Sequence, residues 1–124
     1  MSLFTPDTDS RISLLLADDD PVLRRLYGAV LERHVGFNQD IVDGVGPALS
    51  SMATKQYAVV ISDGLYGGWT EVLGAAMEQE AHPVLYSADL DILQYATNIG
   101  IEAFDKGRAP FRQVLDLTLE RLAS

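Results

Sequence analysis

Apolar residues fall along the chain in two rhythms, unbroken short runs and helical-period stripes, and these alternate from end to end. The run Ala58-Val59-Val60-Ile61 has no polar break and stops at Ser62-Asp63-Gly64. Such a run suits a strand buried on both faces of a parallel sheet. Ile12 to Ala17 is a second run, ending at Asp18-Asp19-Asp20, and Pro83 to Tyr86 is a third, ending at Ser87. Weaker strands are predicted over about Asn38 to Val42 and Ile101 to Phe104.

Between these runs the spacing predicts helices. Asp20-Pro21 is an N-cap acid followed by a first-turn proline. Leu23, Leu26, Tyr27, Val30 and Leu31 then recur at helical spacing to about His34. Further helices are predicted over Ala48 to Thr54, over Thr70 to Gln79, and from Ala88-Asp89 to about Asn98 with Leu90, Leu93, Tyr95 and Ala96 as its apolar side. Pro110 opens a last helix whose Val114, Leu115, Leu117, Thr118 and Leu122 fall at core spacing. Five βα repeats imply an α/β fold, a five-stranded parallel sheet with helices on both faces. Residues 1–10 read as a loose N-terminal tail and residues 11–123 as one domain.

Composition narrows the function classes. At 124 residues the chain is long enough for a real core. A formal net charge of −9 argues against a nucleic-acid surface, which needs clustered lysines and arginines. No apolar run is long enough to span a bilayer, so no membrane is expected. Cysteine is absent, which excludes disulfides and thiolate metal sites and fits a cytoplasmic location.

The chemistry collects at strand ends. In open α/β sheets, ligands bind beyond the carboxyl ends of strands. Those ends here carry Asp18, Asp19, Asp20, Asp63, Ser87 and Lys106. Asp20 reads first as a helix cap. Ser87 alone fits a cap and Lys106 alone fits a solvated surface lysine; their joint position at several strand ends is what points to a site. Crowded carboxylates repel one another unless a cation sits between them. With oxygen ligands only, that cation is magnesium. A lysine and a hydroxyl opposite it suit phosphoryl oxygens, giving a magnesium-assisted phosphoryl acceptor with an aspartate nucleophile.

Four pieces in order, Leu15-Leu16-Ala17-Asp18-Asp19-Asp20-Pro21, Val60-Ile61-Ser62-Asp63, Leu85-Tyr86-Ser87-Ala88 and Phe104-Asp105-Lys106, resemble the CheY-like receiver domain of two-component response regulators. The resemblance spans about residues 11 to 123. It implies a flavodoxin-like sheet of strand order 2-1-3-4-5. It implies Asp63 as the phosphoacceptor, with magnesium held by Asp19 directly, by Asp18 mainly through water, by Asp63, and by the backbone carbonyl of Leu65. Ser87 stands at the switch hydroxyl position and Lys106 at the family's lysine. The implied partners are a histidine kinase or phosphotransfer protein and a downstream protein or output domain, in a signalling role and not an independent enzymatic one. The chain departs from the family at Tyr66-Gly67 and Thr70-Glu71, where Met-Pro and Asp-Gly are usual, and at Gly107, where a proline is usual. The segment before Lys106 is also short, which leaves open whether Phe104 takes the aromatic switch position.

Two other readings stand beside it. The glycine-rich Gly64 to Gly68 loop is compatible with a degenerate receiver that docks proteins without phosphate. Asp18-Asp19-Asp20-Pro21-Val22 also matches the Asp-x-Asp-x-Val motif of haloacid-dehalogenase-like phosphatases, with Asp18 as nucleophile and Asp20 as acid. Against that stand the unused Asp63 and the lack of an acidic pair after Lys106. His34 and His82 are isolated and read as surface or helix-end residues. Leu65, two residues past Asp63, is a candidate shield of an acyl phosphate. Tyr66 and Trp69 fit either partner contacts or a lid over the site.

Overall fold

The unbroken runs become strands because both of their faces are covered. The computed structural model describes residues 11–123; the predicted tail lies outside the described residues. β1 (Ile12–Ala17), β2 (Phe37–Val42), β3 (Val59–Ser62), β4 (His82–Ser87) and β5 (Glu102–Asp105) form one sheet in the order β2-β1-β3-β4-β5. Every neighbouring pair is parallel. Parallel neighbours need crossovers, supplied by α1 (Pro21–Arg33), α2 (Val45–Thr54), α3 (Trp69–Glu78) and α4 (Leu90–Asn98), while α5 (Phe111–Ala123) follows β5.

Alternation along the strands feeds two cores. Leu15, Ala17, Val60 and Leu85 face Ala48, Met52, Val72, Leu73, Ala76, Leu93 and Ala96 of α2, α3 and α4. Leu14, Leu16, Val59, Ile61, Val84 and Tyr86 face Tyr27, Leu31, Phe111, Val114 and Leu115 of α1 and α5. Leu14, Leu15, Val59, Val60, Ile61 and Leu85 are fully buried. Burying such a side chain contributes about 1.5–3 kcal/mol, so the three central strands form the rigid base of the molecule. Register aligns Ala17 with Ser62, Ser62 with Leu85, and Ser87 with Asp105. The residues that follow these strands therefore emerge along one edge.

Caps fix the helix starts at that edge. Asp20 Oδ1 accepts from the Val22 amide at 2.9 Å, and Asp89 Oδ1 accepts from the Asp91 amide at 3.0 Å. The apolar stripes are narrower than the spacing predicts. Leu26 of α1 and both Leu90 and Tyr95 of α4 are exposed, because the sheet contacts only the Tyr27–Leu31 and Leu93–Ala96 faces and these three sit on the flanks. α2 begins at Val45 and not at Ala48, since Pro47 fits a first turn whose amides have no intrahelical partner. α3 begins at Trp69, one residue before the predicted start, with Gly68 at its cap position.

Candidate functional site

Of the three carboxylates that follow β1, the first two take different environments. Asp18 is 1% exposed while Asp19 is exposed. Asp18 Oδ1 accepts the Asp20 amide at 2.9 Å, its Oδ2 accepts Lys106 Nζ at 2.8 Å, and its backbone carbonyl accepts Arg24 at 2.9 Å. Asp63 leaves β3 with its amide bonded to the Ala17 carbonyl at 2.8 Å, which sets it beside the β1 acids. Its Oδ1 accepts Lys106 Nζ at 2.7 Å and its Oδ2 accepts the Leu65 amide at 3.4 Å. One carboxylate oxygen from each of Asp18, Asp19 and Asp63 lies within 4.8 Å of the others.

A cavity of about 400 Å³ opens over these groups, lined by Asp19, Asp63, Leu65, Tyr66, Ser87 and Asp89 among others. Ser87 is buried at the end of β4; its Oγ accepts the Asp89 amide at 3.1 Å, and its carbonyl accepts the Lys106 amide at 3.0 Å. The structure thus brings Asp18, Asp19, Asp63, Ser87 and Lys106 to one place. Asp20 stands apart, its carboxylate turned onto the amides of α1.

The electrostatics favour a cation. Partial desolvation in the pocket raises the Asp19 carboxyl above its ordinary value, and the charge of Asp63, a hydrogen bond with it, and the charge of Asp18 add to that. Burial alone would lower the Lys106 ammonium. Its hydrogen bonds to Asp18 and Asp63 and their charges outweigh burial and hold it above the ordinary lysine range. Three carboxylates against one ammonium leave an uncompensated negative site of oxygen donors, the donor set that suits magnesium.

The loop after Asp63 is strained. Leu65 (φ 48), Tyr66 (φ 54) and Gly67 (φ 94) are left-handed in succession, and for the two non-glycine residues this costs about 1–3 kcal/mol each. The Leu65 carbonyl accepts the Gly68 amide at 2.9 Å. Tyr66 is 99% exposed at the cavity rim, whereas Trp69 is 3% exposed and packs edge-on to Tyr95 with ring centroids 6.0 Å apart. Of this aromatic pair, only Tyr66 is available to a partner.

Phe104 pairs with Tyr86 across β4–β5 and packs in the α1–α5 core. On the opposite face of β5, toward α4, its neighbour is Ala103. No aromatic of β5 faces α4. The histidines serve structural pairs away from the site: His34 Nε2 lies 3.1 Å from Asp116 Oδ1, and His82 Nε2 lies 2.8 Å from Glu102 Oε1. Two residues of the site carried no sequence signal as such. Tyr27 and Tyr86, which read as core positions, place their rings beneath Lys106.

No family model matches the sequence, and no curated protein matches it. Solved structures do. A CheY-like receiver domain protein from Methanospirillum hungatei superposes with a TM-score of 0.76 at 19% identity, covering 92% of this chain and 95% of that one. The receiver domain of the response regulator NarL from Mycobacterium tuberculosis gives 0.74 at 19% identity, covering 90% and 95%. The isolated receiver domain of RcsB from Salmonella enterica, solved with the phosphomimetic BeF3−, gives 0.71 at 18% identity, covering 90% and 89%. The chain therefore has the CheY-like fold of response-regulator receiver domains, built as a flavodoxin-like sheet of order 2-1-3-4-5.

Proposed function

We propose that this chain is a phosphoacceptor receiver, taking a phosphoryl group on Asp63 from a histidine kinase or phosphotransfer protein and switching the binding of a downstream protein or output domain. The observation that carries the reading is the convergence of Asp18, Asp19 and Asp63 within 4.8 Å, with Lys106 donating to both Asp18 and Asp63. A carboxylate oxygen of Asp63 attacks phosphorus, and the P–N bond to the donor histidine breaks. The electron pair leaves with the imidazole and an acyl phosphate remains on Asp63. Lys106, already bonded to Asp63, meets a phosphoryl oxygen as charge builds on it, and the Ser87 hydroxyl, which lines the cavity beside Asp63, donates to another. Asp18, Asp19, Asp63 and the Leu65 carbonyl would hold magnesium, which when bound neutralises phosphoryl charge and orients the donor.

The added charge then biases the loops bearing Ser87 and Lys106, a local event with a distant readout. A receiver of this kind acts in the cytoplasm. A net charge of −9 disfavours direct nucleic-acid binding, and among the described residues no helix is long and apolar enough to cross a membrane. The enzyme reading is weakened by Asp20, whose carboxylate caps α1 where a phosphatase would need a free acid.

Labelling by acetyl phosphate in magnesium tests the reading. One phosphoryl group per wild-type chain and none in Asp63→Asn is the expected result; full labelling of Asp63→Asn removes Asp63 from the role. A second reading, phosphate-independent docking, is favoured by one observation, the Leu65 carbonyl bonded within its own left-handed loop. Amide shifts at Asp63 and Ser87 on adding beryllofluoride with magnesium would rule it out.

A further inference from the structure

The Lys106 and Gly107 amides are bonded to the Ser87 carbonyl and to Asp105 Oδ1, so the backbone is held, but the long, flexible Lys106 side chain leaves the ammonium unfixed by its own backbone. Side chains from other elements fix it. Tyr86, the penultimate residue of β4, and Tyr27, in the middle of α1, are both buried. Their ring centroids lie 5.7 Å and 5.8 Å from Lys106 Nζ, inside the range at which a ring face attracts a cation. The rings are themselves held. Their centroids are 5.7 Å apart, and Phe111 sits 4.5 Å from Tyr27 and 5.8 Å from Tyr86.

Tyr86 does a second thing. Its hydroxyl donates to the Ala109 carbonyl at 2.6 Å, fastening the loop just beyond Lys106. The Arg108 and Ala109 amides close the same loop on the Asp105 carbonyl at 2.9 Å and 2.8 Å. Burial pushes the Tyr27 phenol up to about 12 and raises that of Tyr86, so both rings stay neutral and the carboxylates remain the anions facing the ammonium.

We propose that Tyr86 is a positioning residue for Lys106: its ring, with that of Tyr27, seats the ammonium from below, and its hydroxyl anchors the Lys106–Ala109 loop. The ammonium is thereby kept aimed at Asp63 before any ligand arrives. The consequence for phosphoryl binding rests on the receiver reading above; the seating of Lys106 does not.

The experiment uses the full chain with Tyr86→Phe, Tyr86→Leu, and a trifluorinated phenylalanine at position 86, which keeps the ring's shape but weakens its face. In the metal-free protein, Lys106 methylene proton resonances shifted upfield in wild type and Tyr86→Phe, and relaxed toward free lysine in Tyr86→Leu, support the seat. Free-lysine shifts in wild type overturn it. Tyr86→Phe is expected to speed exchange of the Arg108 and Ala109 amides about fivefold, the loss of one hydrogen bond. Fluorinating that ring is expected to weaken beryllofluoride binding by a further factor of about five. Equal affinity of the phenylalanine and trifluorinated proteins overturns the ring's role, and this pair holds the test should Tyr86→Leu fail to fold. A wild type that binds no beryllofluoride sinks the receiver reading and leaves the Lys106 resonances to decide the seat.

Discussion

Lys106 Nζ stands 2.7 Å from Asp63 Oδ1, joining the loops that leave β5 and β3. The same ammonium reaches Asp18 Oδ2 at 2.8 Å, and the Asp18 and Asp63 side chains are only 2% and 19% exposed. Removing the cation strands two poorly hydrated carboxylates. Lys106→Met is therefore expected to lose about 3 kcal/mol of stability in metal-free buffer. Adding Asp18→Asn to it should restore part of that, because a neutral amide needs no counter-charge. Urea denaturation of the two proteins checks this; a loss below about 0.5 kcal/mol, the scale of an exposed pair, would show that the bridge is solvent-screened.

Asp19 makes the complementary prediction. Its carboxyl is raised by partial desolvation and by the charges of Asp63 and Asp18. A raised acid is charged against its preference, so its penalty is absent below the unfolded carboxylate value and sets in as pH rises through the folded one. Near neutrality, in chelator, Asp19→Asn should melt a few degrees above wild type, on the order of 2–4 °C after solvent screening. Magnesium should reverse the order. A site binding only the folded chain gains about 2.7 kcal/mol at a hundred times its Kd, and the variant should gain far less. Equal magnesium-induced gains in the two proteins would take Asp19 out of the ligand set.

These placements were partly legible in the sequence. β1, β3 and β4 were plain because burial on both faces gives each a run of consecutive apolar residues (Leu14 to Ala17, Val59 to Ile61, Val84 to Tyr86), and Asp18, Asp63 and Ser87 were plain because each follows such a run. β2 was faint: Asn38, Gln39 and Asp40 interrupt it because it is an edge strand with solvent beside it. The exposure of Leu26, Leu90 and Tyr95 was not legible, since periodicity marks a stripe but not how wide a strip of it the sheet contacts. Nor was the left-handed pair Leu65-Tyr66, because only glycine advertises a positive φ and the strain here falls on two residues that do not. Tyr86 read as core; alternation along β4 sends its ring to the α1–α5 side, but that Lys106 comes to lie over it is decided by the loop after β5.

The glycine that caps α3 and the glycine inside it should respond in opposite directions. Gly68 has an ordinary φ, yet a Cβ there would collide with Val45 Cγ2 and approach the Leu65 carbonyl oxygen at 3.1 Å. Gly68→Ala is expected to cost about 1–3 kcal/mol and to displace the Leu65 loop. Gly74, inside the helix, has nothing within 4 Å of a Cβ. Gly74→Ala should stabilise by roughly 0.5–1 kcal/mol, the difference in helix propensity. Matching signs in a denaturation comparison would contradict the packing of α3 against Val45.

Tyr57 gives the clearest pH dependence. Its buried hydroxyl donates to Asp40 Oδ2 at 2.6 Å, and Lys55 Nζ lies 2.9 Å from the same oxygen. The Tyr57 hydrogen bond, with that of Lys55, holds the Asp40 carboxyl below its ordinary value despite some burial, while burial and Asp40 push the phenol up to about 12. A depressed acid contributes stability that is complete above its unfolded value and is lost as pH falls through its folded one. Tyr57→Phe removes the donor and is expected to cost about 1 kcal/mol near pH 7, at the low end for a charged acceptor because Asp40 is partly solvated. The gap between wild type and variant should then narrow steadily below about pH 4, as Asp40 takes up a proton in the unfolded chain first. Denaturant midpoints across that range check it, and a gap that stays constant would show that the bond does not depend on the Asp40 charge.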